Sequence, residues 1–287
     1  LPLESKAFTK ELWEMATEDP VIFPEGIGVV PWMVPGGKEI ADATSKLMEE
    51  YRVVVWAHHG MFVCGDDFDE AFGLMDKTGI DMIGEVQGIF QDEKTFNSQV
   101  VSLASYSFGQ TFNVTPIELI RAQAACVNGG YLYEPYIVDQ VLDDDGNVLS
   151  QHDSTPVRQV VSEETSAIVR EALEYVVSSG SGKNGQVAGY RIGGKTGTAD
   201  KTGTKTSSNP QGDVVVSFMC FAPADDPQYI MLLTMDTPRR DTGTAVYGGT
   251  MVAPAASQIM AEILPALGIE PDYSAEELAG ADAAVPY

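Results

Sequence analysis

The chain has 287 residues, of which 44% are hydrophobic, and a formal net charge of −25. This is globular composition, and the length suits one large domain or two smaller ones. The negative charge argues against a nucleic-acid-binding protein, because few cations are present to neutralise phosphates. Cys64, Cys126 and Cys220 form no CxxC pair, so we predict buried free thiols. No apolar run is long enough to span a bilayer.

The first quarter of the chain predicts mixed helix and strand. The apolar spacing in "GGKEIADATSKLMEEY" predicts an amphipathic helix, and the β-branched run in "YRVVVWAHHG" predicts a strand that ends in a turn. "GDDFDEAFGLMD" predicts a short helix with Asp66 or Asp67 at its N-cap. Because the chain begins "LPLESKAF" without a methionine, we expect a piece of a longer protein.

A well-marked helix and a hairpin follow. In "NVTPIELIRAQAACVNGG", Thr115 is predicted as the N-cap and Glu118 completes a capping box. Gly129 is placed to adopt the left-handed conformation that ends many helices. In "PYIVDQVLDDDGNVLSQHD", Asp145 and Gly146 predict the tight turn of a hairpin.

The remaining elements predict a sheet covered by helices. "SEETSAIVREALEYVVSSGSG" predicts a helix capped by Ser162, with an apolar stripe of Ile168, Ala172, Leu173 and Val176. Three strands follow, in "GYRIGGKTGTA", "DVVVSFMCFAPA" and "QYIMLLTMDTP", and "APAASQIMAEILPAL" predicts a closing helix. Strands and helices of these lengths indicate an α+β fold, with a loosely held acidic tail.

Five stretches together resemble one known family. "KTGIDMIGEVQGIF", "SYSFGQTFNVTPIELIRAQAACVNGG", "GGKTGTAD", "FMCFAPADDPQYIMLLTMDTP" and "YGGTMVAPAASQIMAEILPALGI" occur in this order. They resemble the C-terminal half of a class B penicillin-binding protein transpeptidase domain of the sporulation or division type, over residues 77–273. Residues 274–287, an acidic tail ending "AAVPY", resemble the start of a PASTA module. The resemblance implies cell-wall cross-linking at the extracytoplasmic face of a bacterial membrane, with a peptidoglycan stem peptide or a β-lactam as partner.

The same resemblance assigns roles to one short segment. Lys195 would help to bind the substrate carboxylate and tune the active site, and the hydroxyls of Thr196 and Thr198 would bind the same carboxylate. The strand backbone would contribute to an oxyanion hole. Gly197 would leave room for the acyl chain along the strand edge.

The nucleophile of this family is absent from the sequence. The family carries it as Ser-x-x-Lys on a helix, and none of the ten lysines here has a serine three residues before it. The second motif, Ser-x-Asn, should precede Lys77, but its only occurrence is at residues 207–209, which we interpret as a chance match. We therefore expect a transpeptidase-type chain that is inactive alone.

Residues 1–76 resemble a different family. The run "VVPWMVPG", followed by a strand into "HG", is similar to the C-terminal part of rhamnulose-1-phosphate aldolase, a cytoplasmic class II zinc aldolase. That resemblance makes His59 a zinc ligand, but the upstream His-x-His pair and the catalytic glutamate of the family are missing. Adjacent His58 points to the opposite face of a strand, so we expect weak or adventitious zinc binding at most.

Three functions remain open from the sequence. The leading reading is a transpeptidase-type penicillin-binding protein without cofactor, in a partial transpeptidase-like sheet flanked by helices and preceded by a small α/β aldolase-like segment. The alternatives are a zinc-dependent rhamnulose-1-phosphate aldolase-type lyase and a non-catalytic chimeric or scaffold fragment. The resemblance places two sheet strands in the absent segment, so we expect an exposed sheet edge that permits self-association.

Overall fold

The computed structural model of the chain describes residues 27–30, 38–51, 53–56, 60–63, 72–98, 102, 105–106 and 109–273. The chain forms two compact units, residues 1–76 with 88–113 and residues 77–87 with 114–287. Of the short helix predicted over residues 65–76, residues 65–71 with the Asp66 or Asp67 cap lie outside the described residues, as do Cys64 and the acidic tail. Among residues 72–76 only Phe72 is helical. The predicted boundary between residues 76 and 77 concerns sequence resemblance and stays a prediction.

The first unit contains a small βαβ arrangement. Its elements are β1 (Ile27–Val30), α1 (Lys38–Met48), β2 (Val53–Trp56) and β3 (Gly60–Val63). β1 and β2 are parallel, and β3 continues the sheet antiparallel to β2. Val30 and Val54 are fully buried, and Leu47 of α1 packs against them. The helix and the strand predicted in this region are both present.

The first unit also holds an aromatic cluster next to α2 (Glu93–Ser98). The rings of Phe90 and Phe112 stack with centroids 5.2 Å apart, and Tyr106 lies 5.0 Å from Phe112. The Tyr106 hydroxyl accepts the N–H of Gln91 at 2.7 Å. Aromatic contacts thus join residues that are more than twenty positions apart in the chain.

In the second unit, α3 (Pro116–Val127) begins as predicted. The Thr115 hydroxyl accepts the N–H of Glu118 at 3.3 Å, and the Glu118 carboxylate accepts the N–H of Thr115 at 2.6 Å. Gly129 follows the helix with a φ of 97°. The capping box and the left-handed glycine are therefore confirmed.

Four short strands form two ribbons after α3. They are β4 (Tyr131–Leu132), β5 (Gln140–Leu142), β6 (Val148–Gln151) and β7 (Arg158–Gln159), paired as β4 with β7 and β5 with β6. Gly146 takes a φ of 84° in the turn of the predicted β5–β6 hairpin. The Asp81 carboxylate accepts the N–H groups of Ile137 and Val138, both at 2.8 Å, and so holds the hairpin's first segment.

The helix α4 (Glu163–Ser178) begins at Ser162 as predicted, but its predicted apolar stripe is wrong in part. Ile168 is 59% exposed and Ala172 is exposed, whereas Ser166 and Val177 are buried. The reason is that the Ser166 hydroxyl donates to the carbonyl of Cys126 at 2.9 Å and accepts the N–H of Gly129 at 3.0 Å. These two bonds turn the Ser166 face of α4 toward the end of α3.

The main sheet has the antiparallel order β10-β9-β8. Its strands are β8 (Gly193–Asp200), β9 (Val214–Ala222) and β10 (Tyr229–Asp236), and the helices after it are α5 (Gly248–Met251) and α6 (Ala253–Ala266). Val216, Phe218 and Cys220 of β9 pack in a cluster with α6, while Met219 and Phe221 pack in a cluster with residues of α3 and α4. Alternate residues of the central strand thus bury against helices on opposite faces.

Candidate functional site

The four predicted binding residues lie on β8, at one edge of the sheet. Lys195 pairs with Met219 of β9 and Thr198 pairs with Val216. Within the described residues, no strand pairs with the other side of β8. Because side chains alternate along a strand, Thr196 and Thr198 share one face, and Lys195 and Gly197 share the other.

Both threonine hydroxyls on β8 are held by neighbours that the sequence analysis did not single out. The Thr196 hydroxyl lies 3.1 Å from that of Ser181, which precedes a 3-10 turn at Lys183–Gly185. The Thr198 hydroxyl accepts the N–H of Gly248 at 3.3 Å. Two segments distant in sequence therefore fix the direction of these two hydroxyls.

Gly197 is required by close packing. A Cβ on Gly197 would overlap the hydroxyl of Ser217, and a Cβ on Gly248 would overlap the carbonyl of Ser217 and lie 2.7 Å from that of Gly197. The start of α5 therefore sits directly against β8. The Asn184 amide donates to the carbonyl of Gly249 at 2.7 Å and ties the 3-10 turn to α5.

Lys195 supplies a positive charge at this strand. Its side chain is exposed, its ammonium donates to the carbonyl of Thr196 at 2.9 Å, and it has no ion-pair partner among the described residues. Desolvation by the surrounding protein lowers the pKa of Lys195 from its ordinary value. β8 thus carries an ammonium on one face and two oriented hydroxyls on the other, and these are donor types that suit a carboxylate.

The Ser-x-Asn match of the sequence analysis does not join this strand. Residues 207–209 form part of a turn after β8, in which the N–H of Asn209 donates to the Thr206 hydroxyl at 3.0 Å and the Asn209 amide donates to Asp213 at 2.8 Å. His59 lies outside the described residues, so its predicted metal-ligand role stays a prediction. The described ranges contain no group of three or more His, Cys, Asp or Glu arranged to hold a metal ion.

The two thiols that the structure describes are free, as expected. Cys220 is buried in the core of the main sheet, as predicted, whereas Cys126, near the end of α3, is only half-buried. Desolvation raises the pKa of Cys126 to about 11 and that of Cys220 to about 12. Both groups remain protonated at neutral pH and have little nucleophilic character. None of the helices in the described ranges has the length and apolarity needed to cross a membrane.

Two protein families match the chain. The penicillin binding protein transpeptidase domain family matches residues 67–261, and the class II aldolase and adducin N-terminal domain family matches residues 4–78. Stage V sporulation protein D of Bacillus subtilis is 43% identical over 201 residues, or 70% of this chain. Rhamnulose-1-phosphate aldolase of Pectobacterium atrosepticum is 41% identical over 120 residues, or 41% of this chain. Both resemblances predicted from the sequence are confirmed.

Solved structures agree with the predicted fold. Penicillin binding protein 3 of Mycobacterium tuberculosis complexed with ampicillin superposes with a TM-score of 0.62 at 24% identity, covering 72% of this chain and 46% of that one. The transpeptidase domain of Burkholderia pseudomallei penicillin-binding protein 3 gives 0.58 at 28% identity, covering 72% and 58%. The chain spans only 30% of the length of the Bacillus relative and 42% of the Pectobacterium one.

Proposed function

Because the chain belongs to the penicillin binding protein transpeptidase domain family, we propose that β8 is a carboxylate-binding strand for a peptidoglycan stem peptide or a β-lactam. The parent reaction is D,D-transpeptidation at the extracytoplasmic face of a bacterial membrane. In that reaction a serine attacks the D-Ala-D-Ala amide, and the acyl group passes to an amine of a second stem peptide. We further propose that this chain binds such a ligand without forming the acyl-enzyme.

The observation that carries the proposal is the arrangement of Lys195, Thr196 and Thr198. The lysine ammonium has no carboxylate partner within the described residues, although the chain has a net charge of −25. The two hydroxyls on the opposite face are already oriented by Ser181 and Gly248. A ligand carboxylate at this edge strand would therefore meet preoriented hydroxyl groups on one face, and the ammonium on the other face would attract it by its charge.

We infer the absence of acyl transfer from the sequence. No lysine is preceded by a serine at the spacing that places both groups on one helical face. A hydroxyl without a neighbouring base is a weak nucleophile at neutral pH. Ser181 does not replace the missing group, because its hydrogen-bond partner is the neutral hydroxyl of Thr196.

The proposal predicts binding without a covalent adduct. Incubation with a fluorescent penicillin should leave no labelled band at the mass of the chain on a denaturing gel. Titration of a stem peptide ending in D-Ala-D-Ala, followed by amide chemical shifts, should move the resonances of Gly197 and Thr198. Lys195→Met should weaken this binding by about ten- to a hundredfold, because an interaction with a charged group contributes roughly 1.5–3 kcal/mol.

Lys183→Met is the matched control. Lys183 is exposed on the 3-10 turn, and its replacement changes the net charge by the same amount. Its affinity for the peptide should equal that of the unmodified chain. A covalent penicillin band would contradict the absence of acyl transfer, and equal losses in the two variants would contradict a role for Lys195 at the site.

The aldolase match supports a second candidate function for the first 76 residues, zinc-dependent cleavage of a ketose 1-phosphate in the cytoplasm. The sequence opposes it, because His59 is the one ligand that the resemblance assigns and a catalytic zinc needs three. We expect less than one zinc per ten chains after purification in zinc-containing medium, measured by elemental analysis. One zinc per chain that is lost in a His59→Ala variant would favour the aldolase function instead.

A further inference from the structure

We propose that the outer edge of β10 pairs with β10 of a second copy of this chain, so that two three-stranded sheets form one continuous antiparallel sheet. Among the described residues, β10 is hydrogen-bonded to β9 on one side and to no strand on the other. An edge strand of eight residues presents a row of unpaired backbone groups, which another strand can satisfy.

The outward backbone groups can be assigned from the ladder. The N–H of Thr237 donates to the carbonyl of Val214 at 2.9 Å, next to the register pair Asp236 and Val215. Backbone groups alternate between the two sides of an antiparallel strand. The even-numbered residues Ile230, Leu232 and Thr234 therefore direct their N–H and C=O groups away from β9.

β10 lacks the features that usually protect an edge strand. Its register with β9 runs from Tyr229 to Asp236 without a bulge, and the strand contains no proline and no lysine. Its one charged residue, Asp236, is paired with Lys201 at 2.6 Å. The other side chains are apolar apart from Tyr229 and Thr234, and Tyr229 and Met235 are 37% and 38% exposed.

The backbone directions and the apolar side chains of β10 suit a second copy as the occupant. When two β10 strands pair symmetrically, the outward N–H and C=O groups of one strand meet those of the other only if even-numbered residues lie opposite even-numbered residues. A two-fold axis through Leu232 meets this condition over Ile230–Thr234 and places Ile230 opposite Thr234. Asp236 then lies opposite Gln228, which precedes β10 and whose N–H donates to the carbonyl of Ala222. In this arrangement no two like charges lie opposite each other. Side chains from one face of β10 also share a face with the same side chains of the second copy.

The pairing can be measured with the full chain by sedimentation velocity at concentrations from about 10 to about 300 μM. We expect a reversible dimer whose affinity rises when sodium chloride is increased from about 0.05 to about 0.5 M. Salt screens the repulsion between two chains that each carry a net charge of −25. A monomer throughout this range would overturn the proposal, as would a dimer that salt dissociates.

A backbone variant tests which edge is used. Thr234→Pro removes an outward N–H and leaves the bonds to β9 in place, so the dissociation constant of the dimer should rise at least about tenfold. Thr234→Ala keeps the N–H and should dimerise like the unmodified chain. Equal dissociation constants in the two variants would overturn the use of the β10 edge.

A cross-linking variant tests the pairing independently of proline tolerance. On a two-fold axis, Leu232 faces its own counterpart with Cα atoms about 5.5 Å apart, within the range of a disulfide. Leu232→Cys should therefore give a disulfide-linked dimer on mild oxidation. In Thr234→Cys the corresponding atoms are roughly 14 Å apart, and that variant should cross-link no more than the unmodified chain. Equal cross-linking of the two variants would contradict the proposed register.

Discussion

Single residues decide where α3 begins, and Thr115 has the clearest effect. Its hydroxyl accepts the N–H of Glu118, and its own N–H is bound by the Glu118 carboxylate, which is 1% exposed. Thr115→Ala removes the acceptor and should lower the free energy of unfolding by about 1 kcal/mol in urea denaturation followed by circular dichroism. Thr115→Ser keeps the hydroxyl and should lie close to the unmodified chain. A Thr115→Ala variant as stable as the serine variant would show that this cap is not stabilising.

Residues whose roles are local could be predicted from the sequence. Thr115, Glu118 and Gly129 act within one helix and its ends, so their spacing along the chain was sufficient. Ser181 and Gly248 could not be predicted in the same way, because they approach β8 from segments 15 and 50 positions away from their partners. The glycine pairs in "SGSGKNG" and "YGGT" were the available signal, but nothing local indicates which strand they contact.

At the scale of elements, the periodicity of the sequence predicted whether a segment is a helix or a strand better than it predicted which face is buried. The hairpin, α4 and the three strands of the main sheet appear where alternation and turn residues placed them. For α4 the stripe was drawn through apolar residues, including Ile168, which is exposed. The buried face includes Ser166 instead, because its hydroxyl satisfies backbone groups at the end of α3. A buried serine with two backbone partners carries no signal in a hydrophobic pattern.

The three-stranded sheet explains how half of a transpeptidase-like domain keeps a core. β9 is central and contributes Val216, Phe218 and Phe221, each fully buried, with helices on both faces. Each outer strand of this sheet has one edge that pairs with no other strand among the described residues. The start of α5 packs against β8, which carries the proposed ligand site, whereas β10 exposes unpaired backbone groups.

At the scale of the whole molecule, the chain combines segments that match two protein families. The transpeptidase match reaches 46% and 58% of the two solved chains, and the aldolase match reaches 42% of its relative. The transpeptidase-like part contains β8, for which we propose ligand binding, and no Ser-x-x-Lys string. The aldolase-like part contains His59, the one zinc ligand that the resemblance assigns. Ligand binding and self-association are therefore the two properties that we propose for this chain, because neither requires the Ser-x-x-Lys motif or three zinc ligands.

The charge of the whole molecule leads to a prediction about acid. Hydrogen bonds lower the pKa values of seven carboxyl groups in the described residues, namely Asp81, Glu85, Asp92, Asp143, Asp153, Asp236 and Asp241. A carboxyl group with a lowered pKa in the folded state stabilises the fold above its unfolded pKa. That contribution is lost as the pH falls through the folded pKa.

Two effects oppose each other below about pH 5, since the net charge of −25 also shrinks toward the isoelectric point near 4.2. We expect the lost hydrogen bonds to dominate, so the unfolding temperature should fall steadily between about pH 4.5 and pH 3 in calorimetric scans. Asp143→Asn removes a carboxylate whose pKa is lowered mainly by the side-chain amide of Asn147, and it should flatten this fall slightly. Asp144→Asn, at the exposed neighbouring position, makes the same change in charge and should leave the profile unaltered. An unfolding temperature that rises toward the isoelectric point and stays high at pH 3 would show that charge repulsion is the larger effect.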